Sequence, residues 1–398
     1  MYYIGIDVAK SHHDAAGMDA AGQVVLPPFR FANSCQGVAQ LVARLQQLNA
    51  PVRIALEATG HYWLPLYEAL TAQGYPVTVF NPLQVKAYRQ TGLRKTKTDA
   101  TDSLWIADLL RIGRGRPMVI PAPPIRQMRE WARFRFTLLQ RQADLRRRAL
   151  TILDRVFPEY RTLFRRPFSP SSCALLRRAV SAEAFAAWPV ADLTRTLRRA
   201  SRGHFGREQA ERLHQLAQTS LGIRSLGAVA HQEMQLLLDQ LALLADQIAH
   251  VDAELAHLLA ATPAGQHLTT IPGVSTTLAA TILGEIGDIR RFAQLKQLVA
   301  YAGLDPSVHR SGQFQATRSC LSKRGSPHLR RALWLAAAIA RLHDPQLRAF
   351  YQRKRDQHKP HNVIMAAVCH RLLARIYVIL KEQRPYQIRE PDTRHPAN

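Results

Sequence analysis

Apolar residues alternate with polar or small ones along residues 2–8, Tyr-Tyr-Ile-Gly-Ile-Asp-Val, and this period of two in a run of β-formers predicts a strand. A second polar–apolar run leads to the Ala21-Gly22 turn, and residues 23–31 predict a third strand, so the chain opens with an antiparallel meander. From Gly37 the apolar spacing changes to three and four. It predicts a helix over 37–48, a strand over 52–56, a helix over 62–73 and a strand over 76–80, with Asn81-Pro82 as a stop. A further helix begins near Asp99 and ends around Gly113.

Three antiparallel strands followed by alternating helices and parallel strands is the order of an RNase H-like domain, here over residues 1–115. Gly115 to Pro124 holds Pro117, Pro121, Pro123 and Pro124, which prevent regular helix and mark a linker. Beyond it the class changes from α/β to all-α. Residues 125–156 predict a long basic helix, and residues 229–259 a second one, with Leu236, Leu237, Leu241, Leu244, Ile248, Val251, Leu255 and Leu258 three or four apart. Helices of this kind pair as a coiled coil, within the chain or between two copies, so 125–262 is expected to serve nucleic-acid binding and oligomerisation. Residues 163–226 follow no pattern. A mostly helical C-terminal domain is expected over 263–382, and the tail 383–398, with Pro385, Pro391 and Pro396, is expected to fray.

The chain has 398 residues, 47% of them hydrophobic, enough for two or three folded domains. Its 54 Lys and Arg against 29 Asp and Glu give a formal charge of +25, which calls for a polyanionic partner, nucleic acid by default. No spanning segment or basic amphipathic anchor is evident, and an acid follows the N-terminus too soon for a signal peptide. A protein of the cytoplasm, away from membranes, is expected. Cys35, Cys173, Cys320 and Cys369 have no CxxC spacing and are taken as reduced thiols.

Four acids stand at element boundaries. Asp7 follows the strand Tyr3-Ile4-Gly5-Ile6, Glu57 closes Arg53-Ile54-Ala55-Leu56, and Asp99 and Asp102 open a helix. Strand ends in an α/β sheet converge on one edge, and helix residues three apart share a face, so the four carboxylates can meet. Clustered carboxylates are what Mg²⁺ needs, and two such ions about 3.5–4 Å apart stabilise both oxygens of a phosphodiester exchange. Taken singly, Asp7 can simply end a strand, and Asp99 can cap a helix whose first turn favours Asp102. His12, His13 and His61 are expected at the surface or in packing.

With Gly-Ile-Asp-Val-Ala-Lys, Leu-Glu-Ala-Thr-Gly and Lys-Thr-Asp-Ala-Thr-Asp in order, the chain resembles the DEDD-type, Piv-like insertion-sequence transposases, which carry a RuvC-like N-terminal domain. The likeness continues through Thr270 to Ser275, Gly287 to Phe292, Tyr301 to Pro306, Arg310-Ser311-Gly312 and Leu321 to Arg330. It implies that Asp7, Glu57, Asp99 and Asp102 bind Mg²⁺, as two ions that Mn²⁺ can replace. It also implies a serine nucleophile in the C-terminal domain that links covalently to cut DNA, and Ser311 best fits that setting. Ser275, Ser307, Ser319 and Ser322 compete, Ser275 being equally well explained as a helix cap, and Ser311 itself also fits a plain turn. The family further implies a noncoding bridge RNA that pairs with donor and target DNA, and action at the bacterial nucleoid.

Residues 271–275 followed by a helix over 276–286 resemble a helix-hairpin-helix element, in which Gly273 approaches a phosphate and amides near Ser275 donate to it. A Pro-Gly turn between packed helices explains the same residues. Arg94, Lys95 and Lys97 beside the acids, Arg146, Arg147 and Arg148 on the first long helix, and Lys323, Arg324 and Arg330 are candidate contacts to nucleic acid. Joining two ends to a target requires a homodimer or homotetramer. The leading expectation is a DNA recombinase. A junction-resolving endonuclease that uses water and a noncatalytic nucleic-acid scaffold are the alternatives.

Overall fold

The computed structural model describes residues 1–90, 99–306, 310–311, 314–315 and 321–391; at 99–100, 310–311 and 314–315 it describes backbone alone. The chain divides into two compact units, residues 1–120 and 121–398.

In the first unit, among the described residues, β1 (Tyr2–Val8), β2 (His12–Met18), β3 (Val24–Ala32), β4 (Val52–Glu57) and β5 (Val77–Phe80) form one sheet in the order β3-β2-β1-β4-β5. β1 to β3 are antiparallel neighbours, whereas β4 runs parallel to β1 and β5 parallel to β4. This mixed sheet has the strand order expected of an RNase H-like domain. Helices α1 (Cys35–Gln47) and α2 (Trp63–Ala72) supply Leu41, Leu45, Leu66 and Leu70 to the core on one face, against Ile4, Ile6, Ile54 and Leu56. Helices α3 (Pro82–Arg89) and α4 (Asp99–Arg111) supply Val85, Ile106, Leu109 and Leu110 to the other, against Ala55 and Phe80. Asn81-Pro82 begins α3 instead of stopping the chain. The Asn81 side chain accepts from Leu83 N at 2.9 Å, and Pro82 takes the first helical position, where its missing N–H costs nothing.

The second unit is built on two 34-residue helices, α5 (Pro123–Val156) and α11 (Gly227–Ala260). Pro123 and Pro124 lie in the first turn of α5, not in a linker, for the same reason that holds at Pro82. The two helices pack antiparallel within the chain. Arg135 Nε donates to Asp252 Oδ1 at 2.5 Å, and toward the other end Ile223 N donates to Arg155 O at 2.9 Å.

Between them, where the sequence is patternless, lie α6 (Tyr160–Leu163), α7 (Pro170–Leu176), α8 (Ala182–Ala186), α9 (Val190–Ala200) and α10 (Arg207–Gln218). They close around buried Phe157, Tyr160, Phe185 and Leu213. A second core gathers α12 (Pro263–Thr269), α13 (Thr276–Ile286), α14 (Leu295–Ala302), α15 (Pro327–His343), α16 (Pro345–Asp356) and α17 (His361–Glu382) around the other end of the long pair. By length and composition α17 is apolar enough to cross a membrane, a match not evident from the sequence pattern, but its buried residues Val368, Leu372, Leu373 and Ile376 belong to this core.

The start of the tail is tied down. Tyr386 N donates to Thr270 Oγ1 at 2.8 Å, and Gln346 Nε2 donates to Glu390 O at 3.3 Å, so 384–390 lies against the core instead of fraying.

Candidate active site

Alternation along β1 puts Ile4, Ile6 and Val8 on one face and Tyr3, Gly5 and Asp7 on the other. Gly5 sets what lies over that second face. A Cβ there would stand 2.1 Å from Ser103 O and 2.3 Å from Ala107 N, so α4 rests directly on the strand. Tyr3 packs against the cluster that includes Ile106 and Leu110, and Arg111 Nη1 donates to Ala20 O in the turn beyond β2. The helix therefore runs against the strand, and its first turn, with Asp99 and Asp102, lies at the end where Asp7 stands. Glu57 reaches the same place from β4. Ile6 is in register with Leu56, so Asp7 and Glu57 are the next residues on parallel neighbours and share a face. Thr59 Oγ1 donates to Glu57 Oε1 at 2.9 Å.

Asp102 is buried. Arg89 Nη1, from α3, donates to its Oδ2 at 2.8 Å, while Oδ1 is buried without a hydrogen-bond partner among the described residues. Tyr88, the preceding residue, donates to Asp108 Oδ2 at 2.5 Å and meets Trp105 edge-on, so α3 grips α4 along its length. Burial and Asp108 push the Tyr88 phenol up to about 12, which keeps it a donor.

Sequence reasoning missed Arg89, and it missed Asp14. Asp14 lies directly across from Asp7 in the β1–β2 register, on the same face, buried and held by Arg30 through Nε and Nη2 at 3.1–3.3 Å. Its signal was weak: one acid after two histidines, with its partner 16 residues away. His13 is a packing residue, buried edge-on to Phe31, and burial lowers its pKa. His61 is exposed.

Among the described residues, no three His, Cys, Asp or Glu side chains stand close enough to hold a metal ion. The side chain of Asp99 lies outside the described residues. Within them, the feature that fits a cation is the buried, unpartnered oxygen of Asp102.

In the second unit, Ser311 pairs with Phe314 in a short ladder, β6 (Arg310–Ser311) with β7 (Phe314–Gln315). Its side chain, with Ser307 and Ser319, lies outside the described residues. The described flanks of this segment meet at a closed neck. Ser326 N donates to Tyr301 O at 2.7 Å, and a Cβ on Gly325 would stand 2.0 Å from the same oxygen and 2.6 Å from Gly303 N. Ser322 Oγ, engaged with Asp305 Oδ1 at 2.5 Å, is part of that closure.

Beneath the neck is fully buried Glu285. Arg133 Nε and Nη2 donate to it at 2.7 and 3.2 Å, and Ser326 Oγ at 2.8 Å. Burial pushes the Glu285 carboxyl up, but the Arg133 bonds and charge, with Ser326 and Arg129, outweigh it and hold the group below the usual range.

Family profiles match both ends of the chain: one described as Transposase over residues 4–158, and one described as Transposase IS116/IS110/IS902 family over residues 265–352. The chain belongs to this transposase family. Similar proteins include the pilin gene-inverting protein of Moraxella bovis, 25% identical over 97% of this chain and 98% of that protein. The insertion element IS116 44.8 kDa protein of Streptomyces clavuligerus is 23% identical over 98% of this chain and 97% of its own length. RuvC of Thermus thermophilus, solved with a Holliday junction substrate, covers 30% of this chain and 99% of its own at 19% identity, with a TM-score of 0.23. As a transposase the chain is an enzyme that acts on DNA.

The transposase's basic candidates fall in different settings. Arg146, Arg147 and Arg148 are exposed on α5, Arg147 paired with Asp144. Lys323 and Arg324 are exposed at the neck, whereas Arg330 Nη1 donates to Ala302 O at 3.2 Å and helps to close it. Arg94, Lys95 and Lys97 lie outside the described residues. Gly273, at φ +87°, is needed for protein packing: a Cβ would stand 2.6 Å from Ala340 N and 2.7 Å from Ala336 O of α15. Ser275 caps α13, accepting from Leu278 N at 3.3 Å. A turn between packed helices accounts for both.

Proposed function

We propose that this transposase cuts and rejoins DNA strands at an insertion element, with Asp7, Glu57, Asp99 and Asp102 holding divalent metal and Ser311 as the nucleophile. The observation that carries the reading is that Asp7 and Glu57 lie in register on parallel neighbours, while α4, seated over Gly5 through Ser103 and Ala107, brings its first turn to the Asp7 end of the strand. The unpartnered Asp102 oxygen supports a cation there, Mg²⁺ in this reading, as two ions that Mn²⁺ can replace. A metal so held would neutralise charge on the phosphate oxygens.

The serine oxygen attacks phosphorus, its proton goes to a base or water, and a strand-end hydroxyl leaves. Attack by another strand's hydroxyl on the phosphoserine diester then reseals DNA and returns the serine. One phosphodiester is exchanged at each step, so no energy source is needed. The basic surfaces fit DNA and a bridge RNA that selects sites by pairing, and two ends with a target call for a dimer or tetramer. The name of the Moraxella relative, a gene-inverting protein, accords with strand rejoining.

The test uses the full chain, DNA carrying the element ends, and the bridge RNA that this reading calls for. With Mg²⁺, wild type should form a protein–DNA adduct resistant to denaturant and yield recombinant product. Ser311→Ala should bind DNA but form neither, and Asp7→Asn should lose both together with metal-dependent heat. An adduct in Ser311→Ala would sink the nucleophile assignment. Cleavage without any adduct in wild type would favour water as the attacking group.

A further inference from the structure

A cavity of about 280 Å³ opens between α17 and the docked segment 384–389, apart from every residue assigned above. Its lining mixes apolar Val378, Ile379 and Pro385 with the donors Arg375, Arg384 and Arg389. Two nearby acids, Asp344 and Glu382, are already engaged. Asp344 accepts from Leu347 N at 2.8 Å and from Tyr386 Oη, and lies 3.4 Å from Arg375 Nη2; Glu382 pairs with Arg384. Arg375 also donates through Nη2 to Gln346 Oε1 at 2.9 Å, and its Nη1 is buried with no acceptor among the described residues. Arg384 and Arg389 line the cavity beside Arg375, and planar guanidinium groups brought together in this way match phosphate oxygens. The volume, near the low end of small-ligand sites at roughly 300 Å³, suits a single nucleotide unit.

We propose that this cavity binds the phosphate of one nucleotide, either free or at the end of a strand. The site exists because the tail is docked. Tyr386 is the anchor, its hydroxyl held by Asp344 and its ring 5.7 Å from the Arg375 guanidinium, and with it docked Arg384 and Arg389 line the same cavity as Arg375.

The experiment is fluorescence anisotropy on the full chain with a labelled dinucleotide, with and without a 5′-phosphate, competed by inorganic phosphate. Expected is one saturable site that prefers the phosphorylated form by about tenfold or more, a preference lost in Arg384→Gln/Arg389→Gln. Arg375→Lys, which keeps the charge but not the fork, should lose most of it as well. Arg198→Gln/Arg199→Gln removes two exposed charges from α9 and should leave binding within about twofold, because only diffuse attraction changes. Displacement by inorganic phosphate would identify the anion alone as sufficient. Retained preference without displacement would place the requirement on the nucleotide. Equal losses in the two double variants, or no preference for the phosphorylated dinucleotide, would overturn the proposal. Melting curves of both double variants, expected to match wild type, separate a lost site from a lost fold.

Discussion

At the scale of single residues, Arg89 and Glu285 carry the sharpest expectations. Arg89 holds one oxygen of Asp102 and so fixes where the other points. Arg89→Lys keeps the positive charge but not the planar geometry, so any change reports orientation alone. It should weaken Mn²⁺ binding by about tenfold, the low end for losing the partner of a metal ligand. Calorimetry with Mn²⁺ reads this directly, and unchanged affinity would show that Arg89 does not orient Asp102.

Glu285→Ala should cost about 3 kcal/mol, the low end for breaking a buried pair, because the Arg133 side chain left behind is 44% exposed and regains water. Urea melts check this. The pH dependence has a definite sign. Glu285 has a lowered folded pKa, so its contribution is complete above the unfolded value, about 4.3, and is lost as pH falls through the folded value. The stability gap between wild type and Glu285→Gln should be flat near neutrality and shrink in acid; a gap that grows in acid would contradict the pairing.

At the scale of elements, Gly5→Ala asks α4 to leave β1, since the new methyl would meet Ser103 O and Ala107 N. Overpacking of this kind costs about 1–3 kcal/mol, and the displaced first turn should also cost metal affinity. A wild-type melting curve with intact Mn²⁺ binding would mean that the helix does not rest on the strand.

The same contact shows what the sequence can tell. The strands of the first unit are legible because residues 2–8 and 52–56 are runs of β-formers, with Asp7 near the end of the first and Glu57 just past the second. Helix α3 is not legible that way, because Asn81-Pro82 punctuates equally well as an end or a beginning and only the following turn decides. The short helices between 160 and 218 defeat periodicity for lack of length. Arg89, Asp14 and Glu285 stayed hidden for another reason: their meaning lies in partners brought near by the fold, such as Arg133 and Ser326 on either side of Glu285 in space and far from it in the chain.

At the scale of the whole molecule, a charge of +25 makes binding to DNA or RNA an ion-exchange reaction. The logarithm of affinity should fall with the logarithm of salt by about 0.9 for each phosphate neutralised. Replacing Arg146, Arg147 and Arg148 with Gln should flatten that slope by about 0.9 for each contact removed. Filter binding across a salt series measures it, and a slope untouched by the triple variant would remove α5 from the interface.

The long pair α5 and α11 also has a mechanical consequence. Each helix has 34 residues and spans about 51 Å, with one hydrophobic core wrapped around each end and Leu145 touching both. Such a strut is a fixed ruler, equal to about 15 base pairs of duplex at 3.4 Å each. Adding seven residues to both helices would lengthen it by about 10 Å with little rotation, the reach of roughly three more base pairs.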